Sequence, residues 1–256
     1  MGRVLAVANQ KGGVGKTTTA VNLSAGLALA GHRTLLIDLD PQCSATSGLG
    51  LHPREVEASI YHVLIDQRTA EDVAVETKIA NLSIIPASRD LIGAEIELVP
   101  LERREYRMAE SLIQIRRDFE FILIDCPPSL GLLTVNGLTA ADAVVIPLQC
   151  EYYALEGLSA LLDTIGFIRQ TLNPGLEIQG LLLTMFDKRN SLAHQVLNEV
   201  RQHFPDQVFE SVIPRNVRLS ESPSYGTPAM VYDRRSRGAE AYAALTEELI
   251  QNTVRS

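Results

Sequence analysis

The chain has 256 residues, 46% of them apolar, and a formal net charge of −8. That composition supports a sizeable folded core and excludes a disordered polymer, and the acidic total excludes a protein that coats nucleic acid with its whole surface. Three widely spaced cysteines, Cys43, Cys126 and Cys150, exclude a disulfide framework or a paired-cysteine zinc site and suit a reducing cytoplasm.

No apolar run approaches the roughly 18–20 residues needed to span a bilayer. The apolar stretch at residues 1–8 is too short for a signal peptide, and Ala6, where Ser or Thr would be required, sets myristoylation of Gly2 aside.

The first predicted strand, residues 4–8, runs into Asn9-Gln10-Lys11-Gly12-Gly13-Val14-Gly15-Lys16-Thr17-Thr18 and then a helix over 16–30 that Gly31 ends at a C-cap position. Strand, glycine-rich loop and helix in that order make a phosphate site. Glycines let several N–H groups turn toward one point, and the helix adds its positive N-terminal end. Lys16 is placed to reach the β- and γ-phosphates and the Thr17 hydroxyl to ligate Mg²⁺. The usual G-x-x-x-x-G-K-[ST] pattern requires glycine at position 10, where this chain has Gln10. Residues 11–18 instead follow the deviant form K-G-G-x-G-K-T-T, whose additional lysine is Lys11. Only four of the 23 basic residues are lysines, and two of the four lie here, where a compact ammonium on a flexible stem suits a phosphate. A glycine-rich turn that binds nothing is the bland alternative; seven specified residues in eight argue against it.

The second strand, 34–38, closes on Asp38-Leu39-Asp40-Pro41-Gln42. Ligands of open α/β sheets sit beyond the carboxyl ends of the strands, and alternation puts Asp38 and Asp40 on one side. One carboxylate can hold metal-bound water while the other positions an attacking water; a pair of N-caps or turn residues is the alternative. A strand at 82–86 and a helix over 102–117 follow. Phe121-Ile122-Leu123-Ile124-Asp125 is then an apolar strand ending in an acid, with Asp125 reaching Mg²⁺ through water. Pro127 and Pro128 stop it, and residues 129–131 form a small segment able to respond to a γ-phosphate.

Beyond this lie a helix over 132–140, a strand at 143–148, a helix over 155–171, a strand at 179–184, a helix over 191–203, a weaker strand at 208–213 and a closing helix over 239–252. Strands apolar on consecutive positions are buried on both faces, and their alternation with helices implies right-handed crossovers. The expected fold is α/β: a doubly wound, mostly parallel sheet with helices on both faces, in one P-loop domain over 1–256. Charge is uneven: residues 187–237 hold eight Lys/Arg against six Asp/Glu, so the C-terminal third can present a basic patch on an acidic body.

Residues 11–18, 38–42 and 125–128, with Val212-Ile213-Pro214-Arg215-Asn216-Val217-Arg218-Leu219-Ser220-Glu221-Ser222-Pro223-Ser224, together resemble the ParA/Soj group of chromosome- and plasmid-partitioning ATPases. That group lies within the deviant-Walker class that contains MinD and the nitrogenase iron protein, and the resemblance covers essentially the whole chain. It implies a weak ATPase using ATP and Mg²⁺, cytoplasmic and associated with the nucleoid. Lys11, Gly12, Gly13, Val14, Gly15, Lys16, Thr17 and Thr18 would cradle the nucleotide, with Thr17, Asp38 and Asp125 on the metal. Asp40 would orient the hydrolytic water, and Pro214 and Asn216 would contact adenine. The resemblance further implies an ATP-dependent sandwich homodimer in which Lys11 crosses to the partner's phosphates and Gly12 lies at the close approach. Such a dimer binds duplex DNA without sequence preference, and a ParB/Spo0J-like protein stimulates its ATPase. The basic candidates for DNA are Lys188, Arg189, Arg201, Arg215 and Arg218, with Arg234, Arg235 and Arg237 nearby; Arg218, beside the family motif, is the first choice and Arg189 the second, and each is otherwise an ordinary surface residue.

Three rival readings carry distinct signatures. A MinD-like membrane-cycling ATPase in division-site placement should end in a basic amphipathic helix, whereas this chain ends with Glu247 and Glu248 and little positive charge. An iron–sulfur reductase needs cysteines that clamp a cluster, and Cys126 reads better as a small buried residue. A GTPase would need a lysine where Thr184-Met185-Phe186-Asp187 has Met185.

Overall fold

Alternate residues of the central strands enter opposite cores. Val4, Ala6, Leu35, Ile37, Ile122 and Ile124 pack into one apolar cluster, while Leu5, Val7, Leu36 and Leu123 pack into another. Both faces of the sheet are therefore covered, which is why these strands read as continuous apolar runs. The computed structural model describes residues 2–151 and 154–255; Met1, Tyr152, Tyr153 and Ser256 lie outside the described residues.

In chain order the elements are β1 (Arg3–Val7), α1 (Lys16–Leu29), β2 (Thr34–Asp38), α2 (Ser44–Gly48), α3 (Ile60–Leu64), α4 (Ala70–Val73), β3 (Val75–Glu76), β4 (Leu82–Ile85) and α5 (Leu91–Glu97). They continue with α6 (Arg107–Ile115), β5 (Phe121–Asp125), α7 (Leu132–Ala140), β6 (Ala143–Gln149), α8 (Ala154–Thr171) and β7 (Glu177–Thr184). The last are α9 (Ser191–His203), α10 (Val217–Glu221), α11 (Ala229–Tyr232) and α12 (Arg237–Arg255). Seven strands form one sheet in the order β3-β4-β2-β5-β1-β6-β7. Every pairing is parallel except the short β3, which lies antiparallel on β4. The chain thus adopts the doubly wound, mostly parallel α/β architecture. Val7, Asp38 and Asp125 end adjacent strands in register, so the loop after β1 and the two acids share one crevice at the carboxyl edge.

Two expected elements differ. The helix expected over 102–117 begins as a 3-10 turn at Arg104–Tyr106, preceded by Arg103 with φ +54°, and the α-helix covers Arg107–Ile115. The expected strand at 208–213 is not a regular strand: it bridges β7 at Leu181–Val208 and touches it again where the Ile213 N–H donates to the Leu183 carbonyl at 2.8 Å. The N–H groups of Glu210 and Ser211 donate instead to the Glu248 carboxylate on α12, at 2.7 and 3.0 Å, so a helix takes the bonds a sheet neighbour would need.

Helix α12 closes the core behind the phosphate loop. Tyr242 is buried, with its hydroxyl 3.0 Å from that of Thr19 on α1, and burial pushes its phenol well above the usual range. Tyr242→Phe leaves the buried Thr19 hydroxyl without this partner, a loss of about 1–2 kcal/mol. Calorimetry should show a melting point lower by roughly 2–8 °C; an unchanged one would mean that the hydroxyl pair adds nothing.

Candidate active site

The phosphate loop is held from both sides. Asn9, buried between β1 and the loop, donates to the Pro147 carbonyl of β6 at 2.7 Å and accepts from the Lys11 N–H at 3.0 Å. Thr184, at the end of β7, donates from its hydroxyl to the Val14 carbonyl at 2.8 Å. Gly13 and Gly15 have φ of +75° and +90°, a backbone that L side chains rarely tolerate. Helix α1 starts at Gly15 with no side-chain cap and no acid in its first turn, leaving N–H groups and the positive end of a 14-residue helix aimed at one place, as an anion site requires.

The two lysines of the loop behave differently. Lys16 is buried, and its Nζ donates to the Lys11 carbonyl at 3.2 Å. Burial lowers its pKa more than the nearby Asp125 and Asp40 raise it. Lys11 is half-exposed and its Nζ lies 2.8 Å from Glu151 of the same chain. Gly12 and Gly13 are exposed, and a Cβ built on either meets no atom within 4 Å.

Asp125 and Asp40 act on Lys16, and Asp38 lies beside Asp125. Asp38 and Asp125 are fully buried and Asp40 is 9% exposed. Asp38 is already engaged: it accepts from the Thr46 N–H at 2.7 Å, the Thr46 hydroxyl at 2.6 Å and the Asp40 N–H at 3.2 Å. Even so, desolvation lifts its pKa to about 6. Asp40 accepts from the Gln42 N–H through one oxygen. Asp125 is different: neither of its buried oxygens has a hydrogen-bond partner of good geometry. Desolvation first, and then the Asp38 charge, drive its pKa well above the usual carboxylate range, which the Thr17 hydroxyl beside it relieves only in part. An unsatisfied buried carboxylate next to a threonine hydroxyl is an oxygen-donor pair of the kind Mg²⁺ takes when phosphate and water supply its other ligands. Among the described residues no cluster of three or more His, Cys, Asp or Glu could hold an ion alone. Of the two acids expected on the metal, Asp125 is thus the one with oxygens to offer.

A cavity of about 300 Å³ opens beside the loop, where Gly15 and Thr18 meet Met185, Pro214, Asn216 and Tyr242. Pro214 and Asn216 are therefore brought to the phosphate loop from 200 residues along the chain. Asn216 is also the N-cap of α10, accepting from the Arg218 N–H. Asp187 lies outside this cavity. It lines a larger groove of about 1170 Å³ with Lys188, Arg189, Arg201, Arg215 and Arg237. Five of the eight basic candidates thus share one groove. Arg218 does not line it and lies between Glu221 at 2.8 Å and Asp233 at 3.2 Å; Arg234 and Arg235 are exposed before α12. Pro214 and Arg215 line both the cavity and the groove.

Asn9, Thr46, Thr184 and Glu151 carry much of this arrangement; Asn9 and Thr184 stand in motifs the sequence showed but without these roles, and Thr46 and Glu151 stand outside them. Asn9, two residues before the N–H it accepts, offers the signal of an Asx turn; Thr184 and Glu151 act across 170 and 140 residues and leave none, and nothing in the spacing marks Thr46, eight residues beyond Asp38. The three cysteines are buried and free, and desolvation pushes the thiols of Cys43 and Cys150 up to about 11 and 12.

Comparison with known proteins places this geometry in context. The model of a family described as an AAA domain matches residues 2–178. The chain is 55% identical over 252 residues to the sporulation initiation inhibitor protein Soj of Bacillus subtilis, covering 98% of this chain and all of that one. It is 54% identical over 251 residues to the chromosome partitioning protein ParA of Myxococcus xanthus, covering 98% of this chain and 89% of that one. A Mycobacterium smegmatis protein named cobyrinic acid a,c-diamide synthase, solved with bound ADP and magnesium, has a TM-score of 0.88 at 39% identity, covering 99% of this chain and 96% of that one.

If Asp125 is the carboxylate waiting for a cation, Asp125→Asn should remove the stabilisation that Mg²⁺ adds to a bound nucleoside triphosphate. The ligand-free variant should melt no lower than the parent, because a buried unpaired charge has been taken away. Thermal melts with nucleotide in Mg²⁺ and in EDTA test both halves, and a variant that keeps the Mg²⁺ increment excludes the assignment.

Proposed function

The chain belongs to the ParA/Soj family of chromosome-partitioning ATPases, and on that premise we propose that it hydrolyses ATP with Mg²⁺ as a sandwich homodimer that holds duplex DNA without sequence preference. A ParB/Spo0J-like partner accelerates the weak hydrolysis and so releases the DNA. One P-loop domain over 1–256 carries all of this, in the cytoplasm and on the nucleoid.

The observation that carries the reading is the contrast between the two lysines. Lys16 is buried against its own site, whereas Lys11 is half-exposed on a rim whose glycines face open space. A second subunit can approach there, and Lys11 can exchange Glu151 for the partner's phosphates, neutralising developing charge much as an arginine finger does. Within one subunit, Lys16 and the N–H groups of α1 hold the phosphates. Thr17 and Asp125, with Asp38 behind them, would hold Mg²⁺, which would supply positive charge against that on the phosphates. Asp40, with one oxygen tied to the Gln42 N–H, orients the attacking water through the other. Adenine fits the cavity lined by Met185, Pro214 and Asn216. Met185 replaces the lysine a guanine site uses, and Asp187 lies outside the cavity, which favours ATP over GTP.

The groove of Lys188, Arg189, Arg201, Arg215 and Arg237 suits a phosphate backbone, and dimerisation doubles it. Arg218 would join only by giving up two carboxylates. A membrane-cycling role draws no support from α12, because Ala239, Tyr242, Leu245 and Leu249 on its apolar face are buried in the core. Among the described residues no helix is long and apolar enough to cross a membrane.

Lys11→Ala should lower hydrolysis by about 10³-fold while leaving fluorescent-nucleotide binding within a few-fold; normal turnover in that variant overturns the trans mechanism. Duplex DNA of arbitrary sequence should retain the protein with ATP and Mg²⁺ and release it steeply as salt rises. Binding to liposomes without retention on DNA would reverse the choice between partitioning and membrane cycling.

A further inference from the structure

Asp187 is the one acid of the Thr184-Met185-Phe186-Asp187 motif, and the nucleotide site makes no use of it. Its main chain is fixed by the ribbon that precedes it. The Phe186 N–H donates to the Ile213 carbonyl at 3.0 Å and the Arg215 N–H to the Phe186 carbonyl at 3.1 Å. Its carboxylate is turned into the basic groove, where Arg189 grips it. The Arg189 N–H and Nε donate to Oδ1 at 3.0 and 3.1 Å, and Nη2 donates to Oδ2 at 3.0 Å. This two-pronged fork is the geometry a guanidinium uses on a phosphate. Arg215 adds its charge, and together the two arginines hold the Asp187 carboxyl at about 2, below the usual range. The Arg189 side chain itself is 90% exposed, so nothing but Asp187 fixes its head. Among the described residues no ion pair engages Lys188, Arg215 or Arg237. Of the groove's five basic residues, these three are thus ready, Arg201 pairs with Glu210 at 3.0 Å, and Arg189 already holds a stand-in for phosphate.

We propose that Asp187 is a resident counter-ion of this groove: it occupies the Arg189 fork while the groove is empty, and a nucleic-acid phosphate takes its place when DNA binds. The proposal rests on the DNA-binding reading above and adds a term to it. Each binding event exchanges one carboxylate for one phosphate, so affinity is lower than the count of basic residues suggests and release is correspondingly easy. Because Pro214 and Arg215 also wall the base cavity, the exchange happens one residue from the nucleotide.

Asp187→Asn keeps an oxygen for the Arg189 N–H and removes the charge. Its affinity for a fluorescent duplex, measured by anisotropy on the full-length protein with ATP and Mg²⁺, should be about two- to fivefold tighter than the parent's, the size of one exposed ion pair. The salt dependence should steepen by roughly one ion. In an Arg189→Ala background the same change should yield at most half that gain. DNA-independent ATP hydrolysis and melting temperature should match the parent's. Equal or weaker binding by Asp187→Asn overturns the proposal and makes Asp187 an orienting partner of Arg189. An equal gain with and without Arg189 also overturns it, since a general field effect needs no exchange. If the parent itself retains no DNA, the DNA-binding reading fails as well; parental binding with no gain in the variant leaves that reading intact and removes only the counter-ion.

Discussion

Burial of like charge at the ends of neighbouring strands is the constraint from which the rest of this structure follows. Asp38 and Asp125 are paired in register on β2 and β5 with no solvent exposure, and Asp40 stands just beyond them. Against these three acids the fold sets one buried lysine, whose own ammonium is disfavoured by desolvation. Such an arrangement is costly on its own. It becomes reasonable when a divalent cation and a polyphosphate complete it, each supplying the charge the other needs. In their absence Thr46 eases one acid, its N–H and hydroxyl both donating to Asp38 Oδ2, while burial drives the pKa of Asp125 well above the usual carboxylate range.

Around that centre the architecture assigns each wall two duties. Thr184 ends β7, pins the phosphate loop at Val14 and begins the ribbon that leads to Asp187. Segment 213–216 returns along this ribbon; its inner side faces the cavity beside the loop, and its outer side faces the basic groove. Asn216 then caps α10. The cavity beside the loop and the basic groove therefore share this segment as a common wall.

The sheet was legible in the sequence because its strands are buried on both faces. Residues 34–38 and 121–125 match their observed bounds, as do the helices over 132–140 and 191–203. Failures came where a distant side chain decides. Nothing near residues 208–213 announces that Glu248 will claim their N–H groups, and nothing near 102–117 announces the left-handed Arg103. The short helices α2 to α5 lack the length for a periodic signal. At the site, motif spacing found the loop and the acids, and family resemblance alone picked out Pro214 and Asn216. The division of labour among the acids was not legible, because it depends on Thr46, which bonds Asp38 and not Asp125. Likewise the partners of Lys11 and Arg189 distinguish a rim lysine from a loop lysine and a held arginine from a free one, and only coordinates reveal them.

Those partners also separate what stays fixed from what can exchange. Bonds that define the site are buried: Asn9 to β6, Thr184 to the loop, Thr46 to Asp38. Breaking any of them strands a polar group away from water, which costs about 1–3 kcal/mol. Bonds that hold the functional cations at the rim are exposed ion pairs, Lys11 with Glu151 and Arg189 with Asp187, and such pairs are nearly balanced against water. On the proposed function, a lysine that would cross to another subunit and an arginine that would grip a phosphate are both held by contacts weak enough to trade. The proposed cycle of binding and release would use this asymmetry: a stiff interior that keeps the nucleotide geometry, and a rim whose charges are occupied but never locked.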